Sequence, residues 1–250
     1  MKIIDLNKIL FLLILVPIFG HAQAQINDSS HISVSKKIKP FIIPTVFVTY
    51  GFVALENEKL LNFNNEVKNK ISISNPPKSS IEDFLQFAPV LAFYGLNISG
   101  IKSNSSIQNG TVKLGCAAVV MSTVVFSIKH LTKIERPDKS AFNSFPSGHT
   151  STAFMTAEFL RNEYKHKSKW IGIGAYTFAT TTAFYRMRNN RHWFNDVVAG
   201  AGVGILSAKA GEKIQPYISK LLNNVFKTKA FAIIPTWQNE QLGFSFAKQF

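Results

Sequence analysis

The stretch Phe142–Phe154, FNSFPSGHTSTAF, decides how this chain is read. Pro146 and Gly148 punctuate a turn, Ser147 or Thr150 can cap, and Ala153–Leu160 has helix-forming composition, so the pattern predicts a helix opening here. The first turn of such a helix carries free backbone N–H groups and the positive end of the helix dipole. With the imidazole of His149 beside them, the opening is a candidate anion site with a proton donor in place.

Two further segments hold groups suited to an anion. In KHLTKIERP, Lys129 and Arg136 stand seven residues apart. Seven helical steps turn through about 700°, within about 20° of two full turns, so both cations can face one way on a helix that Pro137 stops. Taken alone this pair is weak, because most Lys and Arg side chains are simply solvated. In FYRMRNNRHWFNDVVAGAGVG, Arg186 precedes a polar turn at Asn189 and Asn190, and His192 and Asp196 are four apart. On a helix that separation lets the carboxylate accept from one imidazole nitrogen and leaves the other as a lone-pair donor, which prepares a nucleophile or a base. The bland reading is a surface His beside an Asp in the first turn of a helix.

Together the three segments supply what in-line phosphoryl transfer requires. Lys129, Arg136 and Arg186 can hold phosphate oxygens, arginine with its planar two-pronged donors. Backbone N–H groups near Ser147 and Gly148 can complete an oxyanion cradle, and two histidines can divide attack and protonation between them. Clustered Lys and Arg oppose a bound cation, and His149, His192 and Asp196 lack a fourth ligand, so no metal site is expected.

Composition agrees with an anionic partner. Lys and Arg number 28 against 14 Asp and Glu, a formal charge of +14, which favours phosphates, acidic lipid surfaces or nucleic acid. No arginine-rich arm, zinc-finger spacing or aromatic–basic RNA-binding signature is present, so nucleic acid is not expected. Cys116 is the single cysteine, which excludes an intrachain disulfide, and in LGCAAVVMS it reads as a small buried hydrophobe. The 250 residues suffice for one sizeable core.

The N-terminus MKIIDLNKILFLLILVPIFGHAQAQ has early lysines, an apolar stretch Ile9–Gly20 and the small-residue pattern Ala22-Gln23-Ala24, which reads as a secretory signal over 1–24. The apolar stretch is well short of the ~20 residues of a spanning helix. Gln25–Lys39 reads as a polar surface lead-in. Six apolar segments follow, Phe41–Leu55, Phe84–Ile101, Leu114–Ile128, Thr150–Leu160, Trp170–Tyr185 and Val197–Ala208, and their length and composition predict helices. The charged stretch from Glu56 to Ser80 reads as a connection. Alternation at Phe244 and Phe246 after a polar turn at Gln238–Glu240 predicts a short C-terminal β-hairpin. If the first three apolar segments all crossed a membrane, residues 129–149 would lie in the cytoplasm, which conflicts with export. A periplasmic helical domain resting on an anionic membrane surface fits better, the alternative being an integral inner-membrane protein with a periplasmic site.

Lys129-x6-Arg136-Pro137, then Pro146-Ser147-Gly148-His149, then Arg186-x5-His192-x3-Asp196 resembles the three-part signature of the type 2 phosphatidic acid phosphatase (PAP2) and vanadium haloperoxidase superfamily. The match spans roughly residues 129–208. The resemblance implies an all-α bundle of about six core helices over residues 25–226, with 227–250 as a tail or hairpin. It also implies a metal-independent phosphatase working through a phosphohistidine. In that scheme His192 is the nucleophile, Asp196 its orienting partner, His149 the general acid, and Lys129, Arg136, Ser147, Gly148 and Arg186 the phosphate binders. Tyr185 stands where many relatives have Ser, and the spacer between Pro137 and Pro146 is eight residues, shorter than in many relatives. Arg188 and Arg191 have no role in the scheme and read as solvated loop charges, or as contacts to a second substrate phosphate.

The function so implied is hydrolysis of phosphate monoesters or diphosphates of a membrane lipid: lipid A, an isoprenoid diphosphate or a phosphatidate. No cofactor is expected, vanadate serving only as a phosphate mimic. The alternatives are a vanadate-dependent haloperoxidase and a non-catalytic anion-binding envelope protein.

Overall fold

A computed structural model describes residues 34–73, 81–228, 231–238 and 241–248, with side chains described for 38–73 and 81–224. Among these residues the helices are α1 (Val34–Val53), α2 (Glu58–Ile71), α3 (Glu82–Leu85), α4 (Ala88–Ile98), α5 (Ile107–Thr132), α6 (Gly148–Tyr164), α7 (Lys169–Arg188) and α8 (Phe194–Thr228). The backbone of β1 (Phe231–Gln238) and β2 (Gln241–Lys248) pairs antiparallel, from Phe231 opposite Lys248 to Gln238 opposite Gln241. Asn239 and Glu240 of the expected turn, and the expected signal segment 1–24, lie outside the described residues. The chain divides into two compact units, Met1–Ile42 and Ile43–Phe250. The described part of the first is the opening of α1, and the second holds all the helices from α2 onward.

The helices of this second unit form a bundle built around α6. Its residues Ala153, Ala157, Leu160 and Tyr164 pack with Phe93 of α4 and with Ala175 and Ala179 of α7. Met155 joins Ala117, Met121 and Val125 of α5 and Val203 and Ala208 of α8. Ile128, Phe145 and Ala199 form a third cluster under the functional loops. The run Gly200–Gly204 permits this closeness: a Cβ on Gly204 would stand 2.2 Å from the Ser151 carbonyl oxygen, and one on Gly200 2.7 Å from that of Ser147. Glycine therefore lets α8 lie against the opening turns of α6.

Two glutamates that the bundle buries are fully paired. Glu158 of α6 receives Arg161 Nε at 2.7 Å, Lys209 Nζ at 2.6 Å and Tyr176 Oη at 2.7 Å. These donors hold its carboxyl at about 2, against the opposing pull of burial. Glu163 likewise takes Lys113 Nζ at 2.8 Å and the Ser105 amide at 2.8 Å, fixing the entry to α5.

Several boundaries differ from the sequence expectation. The expected lead-in Gln25–Lys39 is already helical from Val34. The expected connection Glu56–Ser80 contains α2, which starts where the Asn57 side chain accepts the Leu60 amide at 3.2 Å and carries Lys68 and Lys70 in its last turn, as the dipole favours. Phe84–Ile101 is two helices, because Pro89 opens α4 and cannot continue the turn begun by α3. Helix α5 does not run on to Pro137. Lys133 takes a left-handed conformation with φ of 48° and ends it at Thr132, so Arg136 lies in the following loop.

Candidate active site

The loop joining α5 to α6 gathers the first two segments. Ser144 N–H donates to the Ile134 carbonyl at 2.9 Å and Arg136 N–H to that of Ala141 at 2.9 Å, so the loop folds back on itself. Lys129 and Arg136 reach it from different elements and meet at Asn143. Lys129 Nζ donates to the Asn143 carbonyl, and at 3.3 Å to that of Ser144; Arg136 Nε donates to Asn143 Oδ1 at 2.9 Å. The two cations thus converge by loop geometry and not by helix periodicity. From outside, Lys68 of α2 donates to the Pro137 carbonyl at 2.9 Å and lies 5.1 Å from the Trp193 ring, whose Nε1 donates to the Glu135 carbonyl at 2.9 Å.

Ser147 is the N-cap of α6, its Oγ accepting from the Thr150 hydroxyl at 2.9 Å and facing the Thr150 amide at 3.5 Å. Its own N–H donates to the Asp196 carbonyl at 3.0 Å, which ties the start of α6 to the start of α8. The Ser147 amide is therefore already engaged, and the expected backbone donors reduce to the opening turn from Gly148 onward.

The third segment is arranged by the end of α7 and the start of α8. The Arg186 carbonyl receives the amides of Arg191 at 3.0 Å and His192 at 3.3 Å, so His192 sits in a tight turn before α8 and not on a helix with Asp196. Asp196 is in the first turn of α8. Its Oδ2 reaches back to accept the Trp193 amide at 2.9 Å, as the acidic member of a capping box does. The same oxygen is 3.4 Å from His192 Nδ1 and 2.5 Å from Ser144 Oγ, which is itself 3.4 Å from Nδ1. Ser144 donates to the carboxylate, so Nδ1 faces only acceptors and carries the ring proton, leaving Nε2 with the lone pair.

Both groups are almost sealed from solvent, His192 at 3% and Asp196 at 0% exposure. Burial pushes the His192 pKa well below its usual value, and the positive charges of Arg186, Lys129, Arg136 and His149 push it the same way. The imidazole is thus neutral near pH 7. Burial raises the Asp196 carboxyl to about 6 against the hydrogen bonds of Ser144 and Trp193.

His149 and Arg186 meet an acidic pair that sequence reasoning misses. Asp83 Oδ1 is 2.9 Å from His149 Nε2 and 3.9 Å from Arg186 Nη1. Glu82 Oε1, fully buried, is 3.6 Å from the same Arg186 nitrogen and accepts from Asn189 Nδ2 at 2.7 Å. Arg191 pairs with Asp138 at 3.0 Å and Arg188 lies 5.8 Å from the Tyr185 ring, so neither is a merely solvated loop charge. Ser144 and Asn143 lie within Phe142–Phe154, where two polar residues between Phe142 and Phe145 are the available signal; α3 has too few residues for any periodic signal. Among the described residues no group of three or more His, Cys, Asp or Glu side chains is placed to hold a metal ion.

Of the predicted site residues, Lys129, Arg136, His149, Arg186, His192 and Asp196 come together from α5, α6, α7, α8 and two loops, in the chain order of the three-part signature. The family model of the PAP2 superfamily matches residues 111–220. These residues form a PAP2 superfamily domain. A lipid A 1-phosphatase of Porphyromonas gingivalis is 33% identical to the chain over 231 residues, covering 85% of the chain and 52% of that protein. The chain thus spans about half the length of this curated relative. Two crystal structures are also similar. Aquifex aeolicus LpxE has a TM-score of 0.40 at 17% identity, covering 80% of this chain and 94% of that one. The transmembrane PAP2-type phosphatidylglycerolphosphate phosphatase of Bacillus subtilis has a TM-score of 0.46 at 18% identity, covering 72% and 98%.

Proposed function

We propose that this PAP2 domain protein is a phosphatase acting on the phosphate ester of a membrane lipid. One observation carries the reading: a buried neutral imidazole, His192, with its Nδ1 held by Asp196 and Ser144 and cations around it. In this reading the Nε2 lone pair attacks phosphorus and the bond to the leaving oxygen breaks as His149 protonates it. Lys129, Arg136 and Arg186 hold the non-bridging oxygens, with the Gly148 end of α6 beside them, where charge builds in the transition state. Water, with His149 now the base, then hydrolyses the phosphohistidine and restores the starting state.

A lipid is favoured over a soluble ester by the surface. Phe84, Leu91, Ile98, Val119 and Phe126, on α3, α4 and α5, are large apolar side chains between 67% and 83% exposed, which a lipid surface would cover. Helix α5 is long and apolar enough to cross a membrane, and α1 with α2 would qualify as a second span only if a helix pair bent by 97° counts as one. Similarity to the P. gingivalis lipid A 1-phosphatase supports the same class of substrate. Export and a periplasm-facing site, expected from residues 1–24, complete the proposal. It is tested by phosphate release from a panel of lipid A, undecaprenyl diphosphate, phosphatidate and soluble esters in the presence of EDTA, with His192→Ala as control. Release from the lipids, retained in chelator and lost in the variant, is expected; release from soluble esters alone would overturn the lipid assignment.

A further inference from the structure

The group facing His149 comes from outside the three signature segments. Asp83 comes from the short helix α3, more than sixty positions before His149, and its Oδ1 stands 2.9 Å from Nε2 of the imidazole. Its neighbour Glu82 is fully buried against Asn189 and Arg186. The adjacent carboxylates share the edge of the Arg186 guanidinium, and of the two only Asp83 is paired with the His149 imidazole. Glu82 anchors α3 to the end of α7, and that anchor presents Asp83 to the ring.

We infer that Asp83 is the positioning residue of the general acid: it accepts the Nε2 proton of His149 and thereby fixes the ring and favours its doubly protonated form, with Nδ1–H as the proton to be delivered. The inference rests on the phosphatase reading and extends it to a second carboxylate–histidine pair. The proton inventory closes. As the phosphorus–oxygen bond breaks, the Nδ1 proton passes to the leaving oxygen, the imidazolium becomes neutral imidazole, and the Nε2 proton stays on the contact with Asp83. When water attacks the phosphohistidine, Nδ1 takes a proton back. A carboxylate on the far nitrogen makes that return favourable, by the same logic that Asp196 applies to His192.

Electrostatics give Asp83 something to counter. His149 is faced by Arg186 from α7, by His192 from the following turn and by Glu82 and Asp83 from α3. Burial and Arg186 lower its pKa below the usual value, and Asp83 and Glu82 offset part of that lowering. Without Asp83 the ring would lose its proton more easily, in a site whose other charges are cations. The Asp83 and His149 side chains are 39% and 34% exposed, so the pair sits at the mouth of the site, where a leaving group would depart.

Asp83→Asn and the conservative Asp83→Glu provide the test, each read against wild type by two measurements. The first is kcat/KM against pH for an alkyl phosphate, whose leaving group needs a proton, and for p-nitrophenyl phosphate, whose leaving group does not. In Asp83→Asn the high-pH limb should move to lower pH, with a loss of about tenfold or more at neutral pH for the alkyl ester and little loss for the nitrophenyl ester. Asp83→Glu should recover part of it. The second is the NMR titration of His149, assigned with His149→Gln, whose midpoint should fall in Asp83→Asn whether or not any ester is turned over. An unmoved midpoint, or an equal loss on both esters at every pH, would overturn the inference. So would a gain in kcat/KM with a lower KM in Asp83→Asn, which would make Asp83 a competitor of the phosphate. Absence of turnover in wild type would remove the phosphatase reading and leave the titration to decide the role of Asp83.

Discussion

The Ser144 hydroxyl donates to Asp196 at 2.5 Å, a shorter contact than the 3.4 Å between Asp196 and the imidazole it orients. The carboxylate thus serves three donors through one oxygen: Ser144, the Trp193 amide and His192 Nδ1. Its other oxygen, Oδ1, is buried with no partner among the described residues. Replacing Ser144 by Ala leaves the carboxylate in place and removes its firmest tether. Turnover should fall by about tenfold, with KM little changed. Asp196→Asn, which offers an amide where Nδ1 needs an acceptor, should cost far more, about 10³–10⁴-fold in kcat. Steady-state kinetics on one ester decide this, and equal losses in the two variants would show that Ser144 is no mere tether.

The pH profile follows from two depressed histidines and one raised carboxyl. Turnover needs His192 neutral and His149 protonated, and burial lowers both from the ordinary value of 6.5. His192 is the more strongly lowered and the Asp196 carboxyl that orients it is raised to about 6, so kcat/KM should rise as Asp196 ionises and decline as His149 loses its proton. The maximum should lie on the acid side of pH 6.5. A kcat/KM profile that is still rising at pH 8 would show that the acid is not His149 in this environment.

Glu158 stabilises the bundle well away from the chemistry. Its pKa is lowered to about 2 from 4.5, so its contribution is complete above pH 4.5 and is lost as pH falls toward 2. Glu158→Gln should lower the unfolding midpoint at pH 7, because Arg161 and the nearly buried Lys209 lose their shared counter-charge; breaking such a pair costs about 3–5 kcal/mol. The difference from wild type should shrink in acid. Thermal unfolding at pH 7 and pH 3 checks it, and a pH-independent difference would contradict it.

Gly204→Ala tests the packing that brings the segments together. The new Cβ would stand 2.2 Å from the Ser151 carbonyl oxygen and 2.9 Å from the Met155 amide, both backbone atoms of α6 that cannot swing aside. Overpacking of this kind costs about 1–3 kcal/mol or more. The unfolding midpoint should fall, and kcat with it, because Asp196 and Ser147 are joined across the same helix pair. Unchanged stability would mean that α8 does not lie against α6 so closely.

Much of this site is legible in the sequence, because three of its rules are local. Ser147 at an N-cap, Gly148 after it and a helix-forming run announce α6 without reference to the rest of the chain, and the apolar segments announce the other core helices. What fails is geometry read from spacing. Lys129 and Arg136 fit two helical turns, but Lys133 adopts a left-handed conformation without being glycine, and no local signal marks it. His192 and Asp196 fit one turn, yet the helix begins between them at Phe194. Contacts from far along the chain are invisible: Asp83 meets His149, and Asn64 of α2 exchanges hydrogen bonds with Asn195 at 3.0 and 3.3 Å, pairings that only the folded bundle creates.

The measurement that bears most directly on the whole is a rapid quench of the protein with a phosphate ester labelled on phosphorus. A labelled protein should be trapped that survives alkali and loses its label in acid, with the label mapping to His192 and absent from His192→Ala. Turnover of the same ester with no such species, and a variant at position 192 that still releases phosphate at the wild-type rate, would contradict covalent catalysis by that imidazole.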